Sequence, residues 1–171
     1  RVSVVDTQRF TWPPLLETNL NCDPLATELV FSSGIPITLV PMEVTTQVFL
    51  TPEMRAAMRT WARPLSDVLV DLMEEMLASF ATLSDELGLP ADFYMGRTFM
   101  HDPLAVYAGM AHELVAVRRE HIQIEVIDRV VRTMSYADRT PNMEVCYDID
   151  APAFVSYWLE RVKSLVSSPA A

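Results

Sequence analysis

The stretch HIQIEVIDRVVRTMSYA, residues 121–137, decides the fold class of this chain. Apolar and polar residues alternate in HIQIEVI and again in RVVRTMSYA, which predicts a pair of neighbouring strands. A further strand is predicted in NMEVCYDID, residues 142–150, and a helix is predicted over residues 151–165. Because strands and helices are mixed, the fold class is α/β or α+β and not a helix bundle.

Upstream of this stretch, helices predominate and are separated by short extended segments. Asp23 and Thr51 each precede a proline, an arrangement typical of a helix N-terminus. In chain order we expect a helix at 24–32, extended segments at 37–40 and up to Leu50, a helix from Pro52 to Pro64, a long amphipathic helix from Leu65 to about Gly88, and a helix at 103–110. Apolar residues recur every three or four positions in the long helix, so one stripe is expected to face the core.

Length and composition predict one domain. The chain has 171 residues, of which 50% are hydrophobic, enough for a core of ordinary size. We therefore expect a single domain over residues 1–171, with a frayed tail at 167–171. A formal net charge of −10 argues against nucleic acid as a partner, because binding phosphates requires a clustered basic face.

The sequence also bears on location. Cys22 and Cys146 are far apart and show no CxxC spacing, which predicts neither a zinc site nor a disulfide framework and fits a reducing, cytoplasmic setting. No run of about 18 apolar residues predicts a membrane span, and the first residues lack the pattern of a secretory signal. Because the chain begins with Arg1, we expect the gene product to start upstream.

The tetrapeptide Asp-Pro-Leu-Ala occurs twice, beginning at Asp23 and at Asp102. Either aspartate has a purely structural interpretation, since a carboxylate at a helix N-terminus accepts hydrogen bonds from first-turn N–H groups and meets the positive end of the helix dipole. The second copy differs because His101 places an imidazole, which titrates near neutral pH, beside the carboxylate. The first copy follows Glu17 and Asn19, whose side chains suit hydrogen bonding to hydroxyl groups.

The chain resembles the C-terminal half of the inosine-uridine preferring nucleoside hydrolases. Four segments carry the resemblance in the same order, covering about residues 16–162: LETNLNCDPLA, IPITLVPMEVTTQVFLTPE, FMHDPLAVYA and RTPNMEVCYDIDAPAFVSYWLERV. The resemblance implies an open, Rossmann-like α/β fold. It also implies a glycosidase that splits the N-glycosidic bond of purine or pyrimidine ribonucleosides with the help of bound Ca²⁺.

The resemblance assigns roles to five residues. Asp102 matches a calcium ligand that also faces the ribose hydroxyls, and His101 matches the residue assigned as the acid for the leaving base. Glu17 and Asn19 match a Glu-x-Asn motif that binds ribose hydroxyls. Asp23 matches a structural helix start.

Two features depart from the family pattern. The remaining calcium ligands and the base that activates water come from an N-terminal Asp-x-Asp-x-x-x-Asp-Asp cluster, which this sequence lacks. Threonine stands at position 11, where many members have asparagine. We therefore expect a partial metal site, no activity in the isolated chain, and as partners a ribonucleoside together with an N-terminal half or further copies of the chain.

The same departures favour an alternative function. The chain could be a non-catalytic protein that binds a nucleoside or ribose, or another partner, and retains the fold without the chemistry. A sheet lacking its other half would expose edge strands and an apolar face, so we expect self-association or instability. The sequence indicates neither the preferred base nor the oligomeric state.

Overall fold

The computed structural model describes residues 2–3, 18–61, 64–87, 96–127 and 130–167. The strands before residue 100 have two residues each, and those from Val115 to Ile149 have six or seven. The longest helix lies in the middle of the chain, at Pro64–Leu87. In chain order the elements are β1 (Val2–Ser3), α1 (Thr18–Cys22), α2 (Pro24–Ser32), β2 (Thr38–Leu39), α3 (Met42–Thr45), β3 (Phe49–Leu50), α4 (Pro52–Arg59), α5 (Pro64–Leu87), β4 (Thr98–Phe99), α6 (His101–Met110), β5 (Val115–Glu120), β6 (Ile122–Ile127), β7 (Val130–Ser135), β8 (Met143–Ile149) and α7 (Ala151–Ser167).

The described residues divide into two compact units. The first unit takes its residues from 1–45 and 101–149, and the second from 46–100 and 150–171. The single domain expected over residues 1–171 stays a prediction. The frayed tail expected at 167–171 also stays a prediction, since Ser167 ends α7 and residues 168–171 lie outside the described ranges.

The first unit contains two three-stranded sheets. In one sheet β8 is the central strand, with β2 parallel to it on one side and β5 antiparallel on the other. In the other sheet β7 lies between β1 and β6, and both pairings are antiparallel. The three strands predicted from residues 121–150 are β6, β7 and β8, so this prediction is confirmed.

A small apolar cluster joins these strands to α2 and to the chain that follows it. Its buried members are Ile122, Met143 and Val145, and Phe31, Ile37 and Leu39 pack against them. Burying β-branched and aliphatic side chains from β6, β8 and β2 together stabilises the unit through the hydrophobic effect. No helix within the described residues is long and apolar enough to cross a membrane.

The second unit is mostly helical. The strands β3 and β4 form an antiparallel pair in which the rings of Phe49 and Phe99 meet edge to face, with centroids 6.0 Å apart. Helix α4 packs against α5, and α5 packs against α7. The buried side chains of this unit include Leu50, Met58, Val70 and Phe154.

Two predicted helix starts are confirmed in detail. Helix α2 begins at Pro24, and Oδ1 of Asp23 accepts a hydrogen bond of 2.9 Å from the N–H of Ala26. Helix α4 begins at Pro52, and the hydroxyl of Thr51 accepts a bond of 3.3 Å from the N–H of Met54. Each cap satisfies a first-turn N–H that has no partner inside the helix.

Elsewhere the helices differ from expectation. The short helices α1 and α3 were not predicted, and α6 begins at His101 instead of Pro103. Helix α4 ends at Arg59, and Pro64 opens α5 instead of interrupting α4. A proline is favourable at a first helical position because the N–H that it lacks would have no partner there.

The buried face of α5 also differs from the predicted stripe. Ser66 and Val70 are buried, whereas three residues that the 3–4 spacing assigned to the core are exposed. These are Leu65, Val68 and Leu72, with exposed fractions of 49%, 51% and 58%. Helix α5 therefore presents an apolar stripe to solvent in the described chain.

Candidate functional site

His101 is the first residue of α6 and lies against the end of α3. Its Nδ1 atom is 2.7 Å from Oγ1 of Thr45, the last residue of α3. The Thr45 side chain is buried, with an exposed fraction of 4%, and the imidazole is partly buried. Both residues belong to the first unit, in which α3 packs against α6 and β8. The imidazole is thus hydrogen-bonded to a buried side chain that lies 56 positions earlier in the sequence.

The local structure that provides Thr45 is a single helical turn. The carbonyl oxygen of Pro41 accepts hydrogen bonds from the N–H groups of Val44 and Thr45, at 3.0 and 3.1 Å. Val44 is buried and helps hold the turn in place. The Thr45 hydroxyl also donates to the carbonyl oxygen of Met42, at 3.3 Å. Thr45 was not predicted as a site residue, because its contact with His101 spans 56 positions and leaves no local sequence signal.

Two opposing effects act on the charge of His101. Partial burial lowers the pKa of the imidazole from its ordinary value, because desolvation disfavours the charged form, and the neighbouring carboxylate of Asp102 opposes this shift. Asp102 itself is exposed and lies in the first turn of α6. A carboxylate there is stabilised by the positive end of the helix dipole. The start of α6 therefore presents an imidazole and an accessible carboxylate side by side.

Asn19 lies on α1. A second residue of this helix, Asn21, joins it to β7 by hydrogen bonds. The Asn21 side chain accepts a hydrogen bond of 2.8 Å from the N–H of Val131 and donates one of 3.2 Å to the carbonyl oxygen of the same residue. This two-way bond fixes α1 on the strand, while Asn19 remains exposed. Asn19, His101 and Asp102 all belong to the first unit. Glu17 and Thr11 lie outside the described residues.

The described residues do not form a complete calcium site. Ca²⁺ takes six to eight oxygen ligands, and Asp102 offers one carboxylate. Within the described ranges, no group of three or more His, Cys, Asp or Glu side chains is placed to hold a metal ion. The donor type of Asp102 suits calcium, but the number of ligands does not.

The other two histidines of the chain have structural bonds. Nε2 of His112 is 2.9 Å from the carbonyl oxygen of Ala108, within one turn at the end of α6. Nδ1 of His121 is 2.6 Å from the carbonyl oxygen of Thr140. Both contacts are to backbone carbonyl oxygens and fit a structural role for these two residues.

A comparison with known families matches most of the chain. The inosine-uridine preferring nucleoside hydrolase family matches residues 7–156. The chain belongs to this family. The family resemblance predicted from the four ordered segments is therefore confirmed.

Several curated nucleoside hydrolases are similar to the chain in sequence. The pyrimidine-specific ribonucleoside hydrolase RihA of Escherichia fergusonii is 27% identical over 162 residues, covering 89% of this chain and 48% of that protein. RihA of an Escherichia coli O17:K52:H18 strain is 26% identical over the same coverage. The chain thus spans about half the length of the curated nucleoside hydrolases that it matches.

Solved nucleoside hydrolase structures confirm the fold class. The purine-preferring ribonucleoside hydrolase from Gardnerella vaginalis has a TM-score of 0.73 and 26% identity, covering 88% of this chain and 47% of that one. An inosine-guanosine nucleoside hydrolase has a TM-score of 0.70 and 19% identity, and the match covers 96% of this chain and 50% of that one. The chain therefore has the predicted α/β fold with an open sheet.

Proposed function

We propose that this chain is the part of a ribonucleoside hydrolase that carries the acid for the leaving base and part of the ribose site. The observation that carries the proposal is the start of α6, where His101 is held by Thr45 beside the exposed carboxylate of Asp102. Membership of the nucleoside hydrolase family gives this pair its context. The complete protein hydrolyses the N-glycosidic bond of a ribonucleoside to ribose and the free base.

The chemistry requires three contributions. The C1′–N bond breaks with its electron pair moving to the base nitrogen, and the sugar passes through an oxocarbenium-like state. His101 donates a proton to the departing base, water adds its oxygen to C1′, and a carboxylate from elsewhere in the complete protein takes a proton from that water. Asn19, Glu17 and Asp102 bind the ribose hydroxyls and hold the sugar in position.

Asp102 is the one residue of this chain that we assign to the calcium ion. We assign its carboxylate as one oxygen ligand of a Ca²⁺ ion, because carboxylate oxygens are the ligands that calcium prefers. Within the described ranges no group of three or more His, Cys, Asp or Glu side chains is placed to hold a metal ion, so we assign the other carboxylate ligands to other parts of the complete protein. No step of the reaction above depends on the ion.

The relatives do not agree on the base. One is named as pyrimidine-specific and another as purine-preferring, at 27% and 26% identity. Uridine and inosine are therefore both used as test substrates.

The experiment compares residues 1–171 with the complete gene product in millimolar calcium, and follows release of the free base from each nucleoside. We expect turnover by the complete protein and none by residues 1–171 alone. In the complete protein, His101→Ala should lower kcat by about 10²- to 10⁴-fold, as is typical for loss of a general acid. His112→Ala is the matched control and should leave kcat unchanged, because the ring of this histidine lies just after α6 and bonds to a backbone carbonyl oxygen of that helix.

Two outcomes would contradict the proposal. Turnover by residues 1–171 alone that disappears in Asp102→Ala would show that the metal and water sites are complete within this chain. Calorimetric binding of ribose or a nucleoside by the complete protein, without turnover and without dependence on calcium, would favour the non-catalytic binding protein.

A cytoplasmic location is also part of the proposal. It is supported by the two unpaired thiols of Cys22 and Cys146, since reducing compartments keep cysteines in this state. Fractionation of cells that express the tagged complete protein tests it, and recovery with an extracytoplasmic fraction would contradict it.

A further inference from the structure

We propose that Thr45 is a positioning residue for His101. Its hydroxyl keeps a hydrogen on Nδ1 of the His101 ring, so that Nε2 is the ring nitrogen that exchanges a proton with the leaving base. This inference rests on the proposed function for its catalytic meaning. Its structural part, the assignment of the ring hydrogen, stands on the contacts of Thr45 alone.

The contacts of the Thr45 hydroxyl determine the assignment. A hydroxyl has one hydrogen to donate and two lone pairs to accept with. Its contact with the carbonyl oxygen of Met42, at 3.3 Å, uses that hydrogen, because a carbonyl oxygen only accepts. The 2.7 Å contact with His101 then requires the ring to donate from Nδ1. Both hydrogen bonds are made together only when Nδ1 carries a hydrogen.

The surroundings of Thr45 make this arrangement rigid. The side chain is buried at the end of α3, and α3 packs against both β8 and α6. In a buried site a hydroxyl that lost its partner would stay desolvated without compensation, so the bond to the ring is retained. Thr45 thus fixes the orientation of the imidazole as well as the position of its hydrogen.

The arrangement suits proton donation to a base. His101 acts as the acid in its doubly protonated form, in which each ring nitrogen carries a hydrogen. When the C1′–N bond breaks, the electron pair moves to the base nitrogen, which takes the hydrogen of Nε2. The imidazole that remains carries its hydrogen on Nδ1, which is the form that Thr45 and Met42 stabilise. No rotation of the ring or exchange of hydrogens is needed during the step, which preserves the alignment that proton transfer requires.

The chain contains its own reference signals for this assignment. It has three histidines, and the other two face backbone carbonyl oxygens, which only accept. His112 must therefore carry its hydrogen on Nε2, and His121 must carry it on Nδ1. One nitrogen-15 spectrum of the histidine rings thus contains both tautomers as standards for His101.

The first experiment records this spectrum for residues 1–171 at about pH 8, above the usual histidine pKa of about 6.5. We expect the His101 signals to match those of His121 and to differ from those of His112. Thr45→Val keeps the side-chain shape and removes the hydroxyl, so the His101 signals should move toward a mixture of tautomers. Thr45→Ser keeps the hydroxyl and should preserve the original signals.

Thr27→Val is the matched control. Thr27 is a buried threonine of the same unit, and its hydroxyl bonds to the carbonyl oxygens of Leu20 and Asp23. This substitution should leave the His101 signals unchanged. If Thr45→Val does not fold, the comparison of wild type with Thr45→Ser and with the two reference histidines still decides the assignment. A His101 spectrum matching that of His112 in the wild type overturns the proposal, and so does an unchanged spectrum in folded Thr45→Val.

The second experiment tests the catalytic meaning in the complete protein. Thr45→Val should lower kcat for uridine or inosine by about tenfold to a hundredfold with little change in KM, and Thr45→Ser should restore most of the rate. With a 4-nitrophenyl riboside, whose leaving group departs without protonation, the loss should disappear. An equal loss with both kinds of substrate would overturn the positioning role.

The two experiments separate this inference from the proposed function. If the complete protein hydrolyses no nucleoside but the spectra behave as expected, the proposed function fails and the Thr45–His101 assignment stands. If hydrolysis depends on His101 but the spectra do not respond to Thr45→Val, the proposed function stands and this inference fails.

Discussion

The Nη1 atom of Arg55 lies 2.7 Å from the carbonyl oxygen of Gly96 and donates a hydrogen bond to it. The same nitrogen contacts the carbonyl oxygen of Leu50 at 3.1 Å and the hydroxyl of Thr98 at 3.2 Å. Arg55 has an exposed fraction of only 6%. One buried guanidinium on α4 therefore holds the ends of both β3 and β4.

Replacing this arginine should destabilise the protein. Arg55→Met keeps most of the apolar stem but removes the donor from three acceptors, and we expect the free energy of unfolding to fall by about 2–4 kcal/mol. Arg161→Met, at an exposed position of α7, is the control and should change it by less than about 0.5 kcal/mol. Urea denaturation measures both. Equal stability of the two variants would mean that the Arg55 bonds contribute nothing net.

The two Asp-Pro-Leu-Ala segments should respond differently to the same substitution. Asp23→Ala removes the cap of α2 and should lower the free energy of unfolding by about 1 kcal/mol. Asp102→Ala, at an exposed position in the first turn of α6, should lower it by less than about 0.5 kcal/mol, and in the complete protein it should abolish hydrolysis. Denaturation and base release test the pair. A larger stability loss at Asp102 would point to a structural role for that residue.

The two cysteines should differ sharply in reactivity. Cys22 is exposed, whereas Cys146 is buried in β8. Burial, with a smaller contribution from Glu144, raises the pKa of the Cys146 thiol to about 11, so its reactive thiolate is depleted at neutral and mildly alkaline pH. Titration with a thiol reagent at about pH 8 should modify one thiol rapidly and the second only after unfolding.

Substitution identifies the two thiols. Cys22→Ser should remove the rapid phase and leave the slow one, and Cys146→Ala should do the reverse. Rapid modification of both thiols in the folded chain would contradict the burial of β8.

The exposed stripe of α5 should mediate self-association. Leu65, Val68 and Leu72 lie on one side of the helix, because positions separated by three and four residues align. Sedimentation velocity over a series of concentrations should show association of the chain, and replacing all three residues by Gln should reduce it. Glu75→Gln, an exposed substitution on the same helix, is the control and should leave it unchanged. A compact monomer at every concentration would contradict the role of the stripe.

The sequence predicted the elements that depend on local patterns. Alternation over six or seven residues predicted β6, β7 and β8, and an aspartate before a proline predicted α2 with its cap. Helix α3 was missed because its residues are partly β-branched and lie in an apolar stretch. The turn forms because the Pro41 carbonyl oxygen accepts two hydrogen bonds from the following chain.

Long-range relationships were not predictable in the same way. The hydrophobic spacing of α5 fits more than one face of the helix, and the face that is buried depends on its partners. For the site, the resemblance to the family assigned roles to Glu17, Asn19, His101 and Asp102, and these assignments stay predictions. The bond that joins His101 to Thr45 follows from the tertiary structure and has no local pattern.

The parallel pairing of β2 with β8 sets the order in which the first unit assembles during protein synthesis. Thr38 pairs with Glu144, which is 106 positions later. At about 5–20 residues per second, a ribosome needs about 5–20 seconds to make the chain between them. During that time the cluster is incomplete, because its members Met143 and Val145 have not yet been synthesised. The side chains already present and without these partners include Phe31, Ile37 and Leu39. The nascent chain therefore passes through a period in which these apolar groups are open to chaperones and to other unfinished chains.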